Sequence, residues 1–180
     1  MAYEVIKSET TYRGKIVDVT VDIISLPDGR RAEREIVRRG AASAVLPVDA
    51  DGNVYLVRQY RHSMAKLCLE APAGVMDPGE TDPEACARRE LTEETGFAAG
   101  RLIKLTDMVS AIGFSDEILH IYAAEDLIAG ETDFDDEEFI TVEKYPLNDA
   151  IDMIHSGEIF DSKTIAALLL YDRVRGGRNG

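Results

Sequence analysis

Hydrophobic positions along this chain follow two periods, and the change from one to the other outlines its elements. Over 3–11, 15–25 and 32–38, short runs rich in Val, Ile and Thr predict strands, with Leu26-Pro27-Asp28-Gly29 turning the second into the third. The apolar run from Ala41 to Val48 predicts a buried strand. Asp49-Ala50-Asp51-Gly52 turns it into another at 53–60, and later strands are expected near 100–110, 117–124 and 138–144. Helical spacing takes over at 147–155, through Ala150, Ile151 and Ile154, and at 162–173, where Ile165, Leu168 and Leu169 form an apolar face behind a Ser162 cap. Strands and helices mix without strict alternation, which predicts an α+β chain: a mixed sheet flanked by helices, or an α/β/α sandwich.

One further helix carries the chemistry. Asp82 suits an N-cap, Pro83 the first helical position, Glu84 the positive end of the dipole, and Gly96 a left-handed C-terminal cap. Ala85, Ala87 and Leu91 give it a small apolar surface. Glu90, Glu93 and Glu94 then share one face at i, i+3 and i+4, where each like-charge pair costs about 0.2–0.5 kcal/mol. A divalent cation bound by oxygen ligands would offset that cost. The competing reading is a solvated helix laced by Glu84–Arg88 and Arg89–Glu93 ion pairs. Ahead of the helix, Ala71-Pro72-Ala73-Gly74 is expected to turn, with Gly74 allowing close backbone approach to a ligand.

Composition narrows the class. With 180 residues, 45% hydrophobic and 30% charged, the chain can bury a core as one globular domain of ordinary size. It has neither an apolar signal region nor an 18-residue apolar run, so a cytoplasmic, unanchored protein is expected. Cys68 and Cys86 lack zinc-like spacing and read as buried thiols in a reducing compartment. A net charge of −14 argues against nucleic-acid or acidic-membrane partners. It leaves room for a phosphorylated small molecule, because bound cations can bridge carboxylates to phosphate oxygens.

From Gly74 to Phe97 the chain resembles the signature of the Nudix hydrolases, Gly-x5-Glu-x7-Arg-Glu-U-x-Glu-Glu-x-Gly-U, where U is apolar. Gly74, Glu80, Arg89, Glu90, Leu91, Glu93, Glu94, Gly96 and Phe97 fit it. Eight residues rather than seven separate Glu80 from Arg89, and the extra one falls at Thr81-Asp82, ahead of the carboxylates. The resemblance implies a Nudix-type sandwich for 41–180. It also implies that antiparallel strands in 1–40, similar to the N-terminal region of the ADP-ribose pyrophosphatase branch, pair or swap across a homodimer. A sheet that merely caps one end of the domain is the alternative.

Site roles follow from the same resemblance. Glu90 and Glu94 are expected as magnesium ligands with Glu93 assisting, and manganese is the alternative ion. The Ala73 carbonyl supplies a backbone ligand, Gly74 supports the loop, and Glu80 supports the helix through Arg89. In Ser110-Ala111-Ile112-Gly113-Phe114-Ser115-Asp116-Glu117, similar to a loop of this branch, Glu117 is the candidate general base, with a metal-ligand role as the near alternative. Ile112 stands where the subgroup has proline. Arg61 and Arg34 align with substrate-contacting arginines, Arg31 and Arg38 being close competitors of Arg34, and Glu70 with a substrate or support position.

The implied reaction is magnesium-dependent hydrolysis of ADP-ribose to AMP and ribose 5-phosphate. GDP-mannose, or a range of nucleotide sugars, is the alternative, and a catalytically silent nucleotide sensor is a third reading from another class. His62, His120 and His155 lack ligand spacing, Asp133 to Glu138 reads as a solvated loop, and Arg173 to Arg178 as a frayed end.

Overall fold

The computed structural model describes residues 3–130 and 139–178, which divide into two compact units. The first comprises the described residues up to Ala41 together with Val109–Ile118. Its strands β1 (Glu4–Arg13), β2 (Asp18–Ser25) and β3 (Arg31–Arg38) form an antiparallel sheet in the order β1-β2-β3. The expected turn between β2 and β3 closes where Gly29, at φ +86°, donates its N–H to the Leu26 carbonyl at 2.9 Å. Every residue of β1 is exposed, whereas Thr20 and Asp22 of β2 are buried.

The second unit holds β4 (Ala42–Pro47), β5 (Asn53–Arg61), β6 (Lys66–Glu70), β7 (Ala73–Val75), α1 (Pro83–Thr95), β8 (Phe97–Val109), β9 (Ile118–Ala129), β10 (Thr141–Pro146), α2 (Leu147–Ser156) and α3 (Ser162–Arg178). One sheet runs β7-β4-β9-β8 and a second runs β10-β5-β6. The first is mixed, since β4 lies parallel to β9 and antiparallel to β7.

Strand periodicity makes this unit a sandwich, because successive side chains leave a sheet on opposite faces. Val45, Tyr122 and Ala124 pack with Ala87 and Leu91 of α1. Their sequence neighbours Leu46, Ile121 and Ala123 pack instead with Leu147 and Ala150 of α2 and with Ala167, Leu168 and Tyr171 of α3. All six residues of β4 are buried, which is why that stretch reads as a continuous apolar run. α1 is thereby held on one face and α2 and α3 on the other, giving the expected α/β/α arrangement.

The structure departs from the sequence expectations at four places. Ala71–Gly74 is not simply a turn, because Ala73–Val75 pairs with β4 as β7, a strand too short for periodicity to register. β6 is only five residues long, three apolar residues between a lysine and a glutamate, and it emerges through its pairing with β5. The basic tail is not frayed, for α3 runs to Arg178, with the Arg175 guanidinium seated over Gly52, where a Cβ would fill its space. Asp161, not Ser162, caps α3: its carboxylate accepts the Thr164 N–H at 3.1 Å, and Leu169 on the same helix is substantially exposed. The stretch Asp133 to Glu138 lies outside the described residues.

Candidate active site

α1 begins and ends as its sequence dictates. The Asp82 carboxylate accepts the Glu84 N–H at 3.0 Å, and Gly96, at φ +72°, donates its N–H to the Thr92 carbonyl at 2.8 Å. Ser43 of β4 ties the first turn down by donating to the Pro83 carbonyl at 2.7 Å. With Ala87 and Leu91 facing the sheet, the helix phase carries Glu90 and Glu94 into buried positions, only 7% and 4% exposed. Glu93 stays at the rim with 38% of its side chain exposed. The three carboxylates are therefore unequal, which spacing alone does not disclose.

Burying a carboxylate is costly unless charge or hydrogen bonds compensate. Arg89 supplies part of this, with Nη1 at 2.6 Å from Glu90 Oε1 and 2.8 Å from Glu93 Oε2, while Nη2 donates to the Val75 carbonyl at 3.2 Å. Burial works to lower the Arg89 guanidinium, yet Glu90 and Glu93 hold it above its ordinary value. Its Nε is buried without a hydrogen-bond partner, and Asp77 Oδ2 stands 3.9 Å away. Glu80 lies 4.0 Å from Arg89 and accepts the Asp77 N–H at 3.0 Å, so it braces the loop as much as the arginine. Glu94 accepts the Ala73 N–H at 3.3 Å. A Cβ built on Gly74 would fall onto the Glu90 carboxylate, so this position requires glycine for close approach. Cys86 packs beneath, its Sγ 3.7 Å from the Gly74 carbonyl, and burial pushes its thiol up. Neither it nor Cys68 is in a disulfide.

A second polar centre in this unit surrounds Glu70, at the end of β6. Arg61 of β5 grips it with Nε at 2.7 Å and Nη2 at 2.8 Å, and Lys163 of α3 approaches Oε2 at 2.5 Å. Although burial acts to raise this carboxyl, the two cations hold it down at about 2. Arg61 keeps 40% of its side chain exposed, so the guanidinium is both anchored and reachable.

In the first unit, Glu117 is 8% exposed and receives the Ser110 hydroxyl at 2.9 Å and Arg39 Nε at 3.0 Å. Its loop is fastened to β3, with the Val37 N–H on the Phe114 carbonyl at 2.7 Å and the Arg39 N–H on Asp116 at 2.9 Å. Burial pushes the Asp116 carboxyl up, but the Arg39 N–H and Arg38 outweigh it and hold the group below its usual range. Arg34 is exposed on β3, its Nη1 donating to the Glu33 carbonyl at 2.7 Å. Arg38 is committed to Asp22, Asp116 and Thr20. Arg39, Asp161, Lys163 and Thr164 were not among the residues singled out by sequence. Only Asp161-x-x-Thr164, an Asp cap two residues ahead of the lysine and three ahead of the threonine, left a visible trace.

A family model described as the NUDIX domain matches residues 37–168, and one described as the nucleoside diphosphate sugar hydrolase N-terminal domain matches residues 3–37. The chain belongs to the Nudix hydrolase family. It is 39% identical to the ADP-ribose pyrophosphatase of Bacillus subtilis (strain 168) over 165 residues, covering 91% of this chain and 89% of that one. It is 37% identical over 159 residues to the GDP-mannose pyrophosphatase of Pectobacterium atrosepticum, covering 81% and 79%. A solved structure described as an ADP compounds hydrolase superposes with a TM-score of 0.87 at 26% identity, over 99% of this chain and 96% of that one.

Divalent cations serve Nudix hydrolases generally, and the donor set here fits one. Glu90 and Glu94 are hard oxygen donors one helical turn apart, in a cradle that Gly74 keeps open. Among the described residues no group of three His, Cys, Asp or Glu side chains is gathered as a complete cage, in part because Glu93 is turned onto Arg89. A cation that retains several waters and uses few protein ligands suits that arrangement. Among the described residues, no helix is long and apolar enough to cross a membrane.

Proposed function

We propose that this chain hydrolyses the pyrophosphate bond of ADP-ribose, yielding AMP and ribose 5-phosphate, with magnesium as its ion. The observation that carries this reading is the pair of buried carboxylates Glu90 and Glu94 beside Ala73 and Gly74, in a chain similar to an ADP-ribose pyrophosphatase over nearly its whole length. Bound magnesium supplies charge neutralisation at the pyrophosphate and acidifies water. Glu90 and Glu94 hold it with the Ala73 carbonyl, while Glu93 assists from the rim. Arg61, oriented by Glu70, presents its planar fork to phosphate oxygens, a task for which guanidinium is better shaped than ammonium. Glu117 takes the proton of the attacking water, and Arg34 contributes to substrate binding.

A GDP-mannose or broader nucleotide-sugar activity is the second reading, favoured by the similarity to GDP-mannose pyrophosphatase. Intact Glu90, Glu93 and Glu94 count against a silent sensor, which has no need of the full set. We also assign a homodimer built through the N-terminal strands. β1 is exposed along all ten residues and forms an outer edge of its sheet, showing Val5, Ile6 and Tyr12 to solvent. A cytoplasmic setting suits the two unbridged cysteines.

The test incubates the protein and magnesium with a nucleotide-sugar panel and resolves AMP, GMP and the sugar phosphates. AMP and ribose 5-phosphate from ADP-ribose at the highest kcat/KM support the reading. GMP as the dominant product transfers it to GDP-mannose, and no turnover of any member overturns it.

A further inference from the structure

The first turn of α3 reaches across 93 residues of sequence to hold two consecutive residues, the last of β6 and the first of the connection to β7. Asp161 organises it. Its Oδ2 accepts the Thr164 N–H at 3.1 Å, the Thr164 hydroxyl at 2.5 Å and Lys163 Nζ at 2.9 Å. From that anchor Lys163 extends to Glu70 Oε2 at 2.5 Å, and the Thr164 oxygen accepts the Ala71 N–H at 2.7 Å. Glu70 is thus held by its side chain and Ala71 by its backbone.

Each grip leads toward a different part of the site. Glu70 passes the constraint to Arg61 through two hydrogen bonds. Ala71 passes it through Pro72, whose carbonyl accepts the Val45 N–H at 2.9 Å, to Ala73 and its contact with Glu94. Thr164 is completely buried, and both roles of its hydroxyl, donor and acceptor, are used. Only 12% of the Lys163 side chain is exposed. Core packing alone would be served by valine and methionine at these positions, so the buried hydroxyl and ammonium call for a reason beyond packing.

Charge supplies that reason at Lys163. Arg61, Lys163, Glu70 and Asp161 form an ion-paired group of two cations and two anions, and Glu94 adds a further negative charge acting on Arg61. Without Lys163, Asp161 would lose its ammonium partner and Arg61 would face two anions as the remaining cation of the group. The guanidinium would then be drawn toward its own protein and away from an incoming phosphate.

We propose that Lys163 and Thr164 are positioning residues: Lys163 fixes Glu70 so that Arg61 can receive the substrate, and Thr164 fixes the Ala71 amide so that the Ala73 backbone stays in place. The substrate named in the test rests on the ADP-ribose reading, whereas the clamp itself rests on the contacts above.

Lys163→Met and Lys163→Arg are assayed with ADP-ribose and magnesium, and Thr164→Val and Thr164→Ser are followed by amide hydrogen exchange at Ala71. Losing a charged hydrogen bond in K163M should raise KM about tenfold with kcat little changed, and K163R should recover most of it. T164V should speed Ala71 exchange by about tenfold or more while β5 amides remain protected, and T164S should match wild type. A K163M enzyme with unaltered KM, or T164V with unaltered Ala71 exchange, overturns the corresponding half of the clamp. Should the wild-type protein turn over no nucleotide sugar, the proposed function fails, and Ala71 exchange still decides the clamp.

Discussion

Two buried carboxylate centres in the Nudix unit handle charge in opposite ways. At Glu70 two cations, Arg61 and Lys163, converge on one carboxylate. On α1 one guanidinium, Arg89, divides itself between Glu90 and Glu93, and Glu94 takes the Ala73 N–H. The first arrangement resembles a strut: its ions satisfy one another and fix the geometry around Arg61. The second keeps a high density of negative oxygen at one face of a helix, an arrangement suited to an added cation. Similar residues at similar burial thus sit in two different charge settings, one built around a doubly gripped carboxylate and the other around a shared guanidinium.

Substitution should separate the two centres. Glu94→Gln retains an acceptor for the Ala73 N–H, so turnover should fall by orders of magnitude while Tm remains near wild type; unchanged kcat would remove Glu94 from the metal site. Glu70→Gln should instead lower stability and, by releasing Arg61, raise KM with kcat little changed. Leaving Arg61 and Lys163 without their shared anion should cost about 3 kcal/mol. Urea unfolding measures this as a lower midpoint at constant slope. An unshifted midpoint would show that Glu70 is no strut.

Acid gives a graded version of the same contrast. Because Glu70 titrates at about 2 in the folded protein, its contribution is complete above the ordinary glutamate range. That contribution is lost as pH falls from that range toward 2, as the carboxylate protonates and releases its cations. The stability gap between wild type and E70Q should therefore be full at neutral pH and close on acidification. A gap that stays constant across this range would contradict the depressed value. The smallest effect expected is at the cap of α1, where Asp82→Ala should cost about 1 kcal/mol. It should shift Tm and kcat only modestly, since the helix is also held by Ser43 and by the packing of Ala87 and Leu91.

Much of this organisation was legible beforehand because it is local. Asp82, Pro83 and Gly96 delimit α1 through contacts within a few residues, and β4 announces its burial as a continuous apolar run. What stayed hidden depends on distant residues. Glu70 is an ordinary strand terminus until α3 brings Lys163 to it, and β7 exists only because β4 offers it an edge. The inequality of Glu90 and Glu94 against Glu93 follows from the helix phase that the sheet selects, which the i, i+3, i+4 spacing leaves open. Arg39 escaped notice as one arginine in a basic run until the loop carrying Glu117 folded onto β3.

The most direct test of the account is calorimetric titration of magnesium into the protein saturated with AMP, compared with the Glu90→Gln, Glu94→Gln double variant. The account predicts a saturable binding heat in the wild-type protein that disappears in the variant while its fold persists. Identical isotherms for the two proteins would contradict it.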